Sequence, residues 1–293
     1  MSKNKGDKVL EKSKRLSALG SSACLDKKEE FIKDFLRKLS QVSSSYDPRQ
    51  LFCDACRMFC LALRGVVTLD KAEKDAVETE YASYVKKYGD ASVKKMSELF
   101  AIVCEALEYR REDFLGRVYE RLNATVKSFG QFFTPESVSR LMARVTFGNK
   151  IKDDEIVTMN DSACGAGALL IAGAEEFLMA GGKQSNLLIF AEDLDPTSCN
   201  IIYTQLSLLG YAAIVRHMDS LSRKIIEGPW YTIGFFMHAF PMRRSKWDDR
   251  DKSVKSEDES KVVEEPQNQV KEDVQESYSE PIDMRKLVQG ELF

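Results

Sequence analysis

The sequence predicts an α/β fold: a short doubly wound sheet preceded by a domain built of helices. Two observations carry that reading. Between residues 155 and 216 short apolar runs alternate with longer helical patterns, as in βαβ units, whereas from Lys27 to about Leu107 apolar residues recur only at helical spacing. The sheet is expected to stop after about four strands, because from Ser245 onward lysine, glutamate, serine and glutamine alternate without apolar periodicity.

The chain has 293 residues, 43% of them hydrophobic and 30% charged, which is enough for a full core and a length typical of about two domains. It has no apolar run of the ~18 residues that a membrane span needs. Its start, Met1-Ser-Lys-Asn-Lys, lacks the apolar segment of a signal peptide. A soluble cytoplasmic protein is therefore expected, and seven cysteines scattered through apolar patterns fit reduced thiols. The net charge of −3 is uneven: residues 245–293 carry 14 acidic and 8 basic side chains, so the body is mildly basic. That balance is compatible with nucleic acid without demanding it.

Taken in order, residues 1–25 are lysine- and serine-rich and expected to be disordered. Residues 26–110 form the helical domain. Its apolar faces are Phe31, Phe35, Leu36 and Leu39; Leu51, Ala55, Met58, Phe59 and Ala62; Tyr81, Tyr84, Val85 and Tyr88; and Met96, Leu99, Phe100, Val103 and Leu107. Asp47-Pro48 and Gly89-Asp90 separate them. Cys53, Cys56 and Cys60 supply three thiols but no fourth metal ligand, and the only histidines are His217 and His238. Their i, i+3, i+7 spacing is one helix face, so buried thiols are expected and no metal.

Residues 111–244 form the α/β domain. A helix from Phe114 to Val126 leads to the loop Gly130-Gln-Phe-Phe-Thr-Pro135, and a second helix, Pro135 to Val145, starts behind Thr134 as its cap. Glu155–Met159 is the first strand. It runs into Asp161-Ser-Ala-Cys-Gly-Ala-Gly167, whose small residues let a ligand approach the backbone at the amino terminus of the helix Ala168–Met179. A nucleotide-like ligand is expected there.

Leu187–Ala191 is the second strand and ends in Glu192-Asp-Leu-Asp195, ~20–30 residues downstream, where an acidic side chain accepts hydrogen bonds from a ribose. Asp193 directly follows the strand and is preferred for that role; Asp195-Pro196 is itself a good helix start. A helix from Pro196 to Leu209, closed by Gly210, precedes the third strand, Ala212–Arg216, and Asp219 lies beyond it. Ligands of such sheets bind beyond the carboxyl ends of the strands.

Three segments resemble one family in the right order. Asp161-Ser-Ala-Cys-Gly-Ala-Gly167 is similar to the D-P-A-C-G-S/T-G motif of S-adenosylmethionine (AdoMet)-dependent adenine-N6 DNA methyltransferases. Gly130-Gln-Phe-Phe-Thr-Pro135 resembles the segment with which type I modification subunits help enclose the methionine end of AdoMet. Asp113-Phe-Leu-Gly-Arg-Val-Tyr-Glu120 resembles their D-x-L-G-x-x-Y-E helix. The short phage- and plasmid-type relatives also share the look of Glu192-Asp-Leu-Asp-Pro-Thr197 and Gln205-Leu-Ser-Leu-Leu-Gly210.

The resemblance implies a Rossmann-like AdoMet-dependent methyltransferase sheet, truncated here, and a site to match. Phe133, Thr134 and Pro135 would join Asp161, Ala163, Gly165 and Gly167 around the cofactor. Asp193 would take its ribose, and Asp219 would lie near its adenine. Relatives present N/D/S-P-P-F/Y/W to the target base, where the polar side chain and a proline-fixed carbonyl accept from the adenine amino group and the aromatic stacks on the flipped base. This chain has no such tetrapeptide. One frame offers Thr232 and Phe235 as the catalytic pair; another offers Met237-His-Ala-Phe240 after a strand from Tyr231 to Phe236.

The resemblance implies DNA as the partner, with the helical region contacting partners and DNA as it does in the larger type I subunits. An unpaired strand edge favours a partner subunit or a second copy of the chain. The terminal Gln289-Gly-Glu-Leu-Phe293 looks like the Q-x-x-L-F peptides that bind the bacterial sliding clamp. The alternative to an active methyltransferase is a catalytically silent, DNA-associated accessory protein of a mobile element.

Overall fold

The helices before residue 110 and the α/β part after it share one continuous core. The computed structural model describes residues 21–123, 134, 136–147 and 156–243, with the side chains of 21–26, 136, 147 and 243 outside that description. The amino-terminal segment before Ser21, most of the Gly130–Pro135 loop and the charged tail, including Gln289–Phe293, lie outside it. The chain divides into two compact units, Met1–His238 and Ala239–Phe293. In the second, the described residues are 239–243; Pro241–Arg243 form a 3-10 turn, and the amide of Met242 donates to the carbonyl of Ala239 at 3.1 Å.

The described residues of the first unit start with four long helices: α1 (Ser21–Val42), α2 (Pro48–Val67), α3 (Lys71–Tyr88) and α4 (Asp90–Tyr109). Asp47 caps α2 by accepting from the Arg49 amide at 2.9 Å, with Pro48 in the first turn; Asp70 caps α3 through the Glu73 amide at 2.8 Å. Gly89, at φ +75°, both ends α3 and starts α4, a backbone turn that favours glycine. α2 is the most enclosed of the four. Leu51, Phe52, Ala55, Met58 and Phe59 are buried on it, and so are the Cys56 and Cys60 thiols, which fill space as small apolar groups. Burial pushes both thiols up in pKa, Cys60 to about 12. Among the described residues no three side chains form a group that could hold a metal ion, and no helix is long and apolar enough to cross a membrane.

Two shorter helices follow, α5 (Phe114–Asn123) and α6 (Glu136–Phe147). The α/β part is then β1 (Val157–Asp161), α7 (Ala168–Met179), β2 (Leu187–Asp193), α8 (Pro196–Leu208), β3 (Ala212–Asp219), β4 (Lys224–Tyr231) and the short α9 (Ile233–Met237). The sheet order is β1-β2-β3-β4, with the first three strands parallel. Both crossovers step the same way, so the right-handed connection puts α7 and α8 on one face. That face carries Ile189, Ala191, Ala213 and Val215, which join Phe35, Phe52, Cys60 and Leu99 of the helices in one cluster of buried side chains.

α2 lies against α8, and its arginines tie it to β4. Arg57 meets Glu80 and Glu227, each at 2.7 Å, and Arg64 reaches Glu73 at 3.2 Å and Glu227 at 3.4 Å. Both guanidinium groups lie over the Trp230 indole, at 5.5 and 4.7 Å from its centre.

The fourth strand differs from the one that the second frame expects. That frame has a strand over Tyr231–Phe236; the strand is instead Lys224–Tyr231, antiparallel to β3, and Ile233–Met237 is helical. The cause is the turn after β3. Asp219 accepts from the amides of Leu221 at 3.0 Å and Ser222 at 3.3 Å, an Asx-type reversal that sends the chain back along β3. Strand β1 also begins two residues later than expected, at Val157, so Asp161 is its last residue.

Candidate functional site

Asp161 ends β1 and shapes the turn that follows, its Oδ1 accepting from the Ala163 amide at 3.1 Å. The Cys164 amide donates to the Glu192 carbonyl at 3.0 Å, which pins the loop to the end of β2, and Gly167 closes it by donating to the Cys164 carbonyl at 2.9 Å. Two glycines are needed for different reasons. Gly165 has φ +53° and open space where a Cβ would stand; Gly167 has φ +92°, and a Cβ there would fall 1.8 Å from Ile202 Cδ1. The loop thus lies flat on α8 at one end and presents bare backbone at the other.

Asp193 and Asp195, two residues apart, do separate work. Asp193 ends β2 and accepts from the Gly165 amide at 2.7 Å through Oδ2 and from the Asp195 amide at 2.8 Å through Oδ1. A carboxylate has about four acceptor positions, so two remain, which suits the two hydroxyls of a ribose. Asp195 is the cap of α8, accepting from the amides of Thr197 and Ser198 and from the Ser198 hydroxyl. Glu192 is engaged by Arg216 at 2.8 Å.

The turn after β3 closes the same end of the sheet. The Ser220 hydroxyl donates to the Ser162 carbonyl at 2.6 Å, linking this turn to the loop after β1. The Ser222 side chain, helped by the amides of Ser222 and Leu221, holds the Asp219 carboxyl below the usual carboxylate range. Leu194 is 60% exposed and Leu221 98% exposed on these loops, apolar surface of the kind a planar ring covers. The structure therefore gathers Asp161, Ala163, Gly165, Gly167, Asp193 and Asp219 at the carboxyl ends of β1, β2 and β3. Within that set a Cβ at Gly165 would meet open space, and Asp193 accepts two of the about four hydrogen bonds open to a carboxylate.

Other expected site residues stand elsewhere. Phe133 and Pro135 lie outside the described residues. Thr134 lines a cavity of about 240 Å³ between α5, α6 and α7, whose walls include Arg111, Asp113, Arg117, Arg140 and Glu175 but none of the six loop and strand-end residues above.

Thr232 and Phe235 are at the opposite end of the sheet, a consequence of the antiparallel β4. Thr232 is fully buried; its hydroxyl donates to the Tyr211 carbonyl at 2.7 Å and accepts from the Ala213 amide at 2.8 Å, where β3 begins. The Phe235 ring packs on Tyr231 with centres 4.7 Å apart. In this geometry the Thr232 hydroxyl bridges backbone groups and the Phe235 ring packs on a neighbouring ring. Met237, in the second frame, ends α9 and is 70% exposed. The histidines bond backbone carbonyls, His217 that of Leu194 and His238 that of Gly210, both at 3.1 Å.

Sequence reasoning assigned no role to Gln205 or to the side chain of Asp113, although both fall in the segments that carry the resemblance. They meet in space, Gln205 Nε2 donating to Asp113 Oδ1 at 2.9 Å. Burial of the Asp113 carboxyl pushes it up to about 6, against the opposing pull of Gln205 and the Gly116 amide.

The family described as N-6 DNA Methylase matches residues 110–274, more than half of the chain. The type I restriction enzyme MpnII methylase subunit of Mycoplasma pneumoniae is 28% identical over 145 residues, 45% of this chain; the match spans about a quarter of that relative's length, 25%. A solved type I restriction-modification system methyltransferase subunit from Streptococcus thermophilus aligns with 15% identity and a TM-score of 0.38, over 67% of this chain and 59% of that one.

Proposed function

Because this chain belongs to the N-6 DNA methylase family, we propose that it binds AdoMet at the carboxyl ends of β1, β2 and β3 and serves adenine-N6 methylation of DNA. The observation that carries the reading is Asp193 held against the Gly165 amide at 2.7 Å, which fixes glycine loop and ribose acceptor as one unit. In this reading Asp161 and the loop amides face the cofactor, Asp193 accepts from its ribose hydroxyls, and Asp219 and Leu194 lie beside its adenine. Phe133, Thr134 and Pro135 would enclose the methionine end. When bound, AdoMet supplies the activated methyl group; this chain's residues bind and orient it. The helical residues 26–110, the methyltransferase-like residues 111–244 and a partner subunit would together contact DNA.

A second reading has its own observation. The Thr232 hydroxyl is committed to backbone at the far end of the sheet, and the chain has no N/D/S-P-P-F/Y/W tetrapeptide. That favours an AdoMet-binding subunit that depends on another polypeptide for the contacts to adenine. Incubation of the full chain with methyl-tritiated AdoMet and mixed genomic DNA separates the two. Label recovered as N6-methyladenine with the chain alone supports transfer by this protein. Binding of AdoMet without label in DNA supports the second reading, and failure to bind AdoMet rejects both.

A further inference from the structure

Gln205 is fully buried in the last turn of α8 and uses its whole hydrogen-bonding capacity on two separate segments, Asp113–Leu115 and Ala166. Its Oε1 accepts from the amides of Phe114 at 2.8 Å and Leu115 at 3.0 Å, two of the unpaired donors at the start of α5. Its Nε2 donates to Asp113 Oδ1 at 2.9 Å and to the Ala166 carbonyl at 3.2 Å, inside the glycine loop. The orientation of this carboxamide is not free, because amides face one end and a carboxylate and a carbonyl face the other. Gly116 completes the fit: a Cβ there would stand 2.1 Å from Asp113 Oδ2 and 2.5 Å from the Ala166 side chain.

We propose that Gln205 is the positioning residue of the glycine loop, holding Ala166 against α5 so that the Gly165 amide keeps the register that Asp193 requires. The loop has no other side-chain anchor on its α7 side among the hydrogen bonds described, whereas on its β2 side it has both the Glu192 carbonyl and Asp193. The consequence for ligand affinity rests on the AdoMet reading above; the consequence for the loop does not.

The Gln205→Glu variant tests this with a signature that plain destabilisation lacks. It keeps the acceptor for Phe114 and Leu115 but turns the donor into an oxygen facing the Asp113 carboxylate and the Ala166 carbonyl. At about pH 8 two carboxylates then oppose each other, and as pH falls a shared proton takes the place of the lost amide hydrogen. The charged groups facing this pair are Glu112 and Arg117 beside Asp113, with Arg111, Glu120, Arg140, Glu175 and Glu176 around the adjoining cavity; α8 itself carries no charge. Gln205→Leu removes the donors at every pH.

Hydrogen–deuterium exchange of the full chain, corrected for the intrinsic effect of pH, is read on the peptide 161–167, with 212–219 as control. The expected result for Gln205→Glu is roughly tenfold faster loop exchange near pH 8 and a return to within about twofold of the unmutated chain near pH 5.5. Gln205→Leu stays fast at both, and the control peptide does not change. Unchanged loop exchange, or equal loosening of both peptides without recovery at low pH, overturns the proposal. AdoMet titration of the same samples should follow the loop, weakened about tenfold near pH 8 and restored near pH 5.5. An unmutated chain that does not bind AdoMet while its loop obeys the exchange pattern rejects the cofactor reading and leaves the positioning role standing.

Discussion

The Asp193 carboxylate accepts the amide hydrogen of Gly165 at 2.7 Å, joining residues 28 positions apart. The same carboxylate accepts from Asp195, so one side chain organises the glycine loop, the end of β2 and the entry to α8.

Removing it has a graded effect. Asp193→Ala leaves two amides without their charged acceptor and should cost about 1–3 kcal/mol in urea unfolding, while Asp193→Asn keeps one oxygen and loses less. Equal stability of the alanine variant and the unmutated chain would show that the hydrogen bond to Gly165 is not formed in solution.

Gly167 responds to steric substitution. Gly167→Ala places a methyl group 1.8 Å from Ile202 Cδ1 at φ +92°, and a loss of about 2–3 kcal/mol is expected from overlap and backbone strain. Ile202→Val in the same chain removes the clashing Cδ1 and should return part of the loss. Gly165→Ala meets no atom and should cost only about 1 kcal/mol, for its left-handed backbone. Comparable melting temperatures for the two glycine variants would contradict this packing.

Thr232 separates a structural role from a catalytic one. Thr232→Val keeps shape but loses the hydroxyl that bridges Tyr211 and Ala213, leaving a buried amide and carbonyl short of a partner, at about 1–3 kcal/mol. Its affinity for AdoMet, measured at a temperature where the variant is folded, should match that of the unmutated chain. A tenfold weaker affinity at unchanged stability would restore Thr232 to the ligand site.

How much of this was legible in the sequence depended on the range of the interaction. The helices were readable because their apolar faces and caps are local, as with Asp47-Pro48 and Gly89. The glycine loop and Asp193 were readable because strand, turn and acidic residue follow one another along a βαβ unit. Strand direction was not: β4 runs antiparallel because the Asp219 side chain captures two amides just after β3, a turn that apolar periodicity does not encode, and this moved Thr232 to the far end of the sheet. The Gln205–Asp113 bond spans 92 residues and depends on how α8 packs against the start of α5. No local pattern announces it, although a polar residue on a helix as buried as α8 is a signal worth pursuing.

Asp113 gives the fold a pH dependence with a definite sign. Its carboxyl titrates near 6 in the folded chain, above its ordinary value of 3.8. The folded state therefore holds the extra proton between those values. The group's favourable contribution is full below about 3.8 and is lost as pH rises through about 6. Asp113→Asn, which keeps an acceptor oxygen for Gln205, should flatten the stability profile between about pH 4 and pH 7. An unaltered profile would place the titration elsewhere.

The most direct test of the cofactor site is calorimetric titration of AdoMet into the full chain, beside Asp161→Ala and Asp193→Ala chains shown to be folded by circular dichroism. The account predicts saturable one-to-one binding that weakens at least about tenfold in each variant, as expected when a hydrogen-bonded charge at a ligand is removed. No saturable binding by the unmutated chain, or equal affinity in all three, would contradict it.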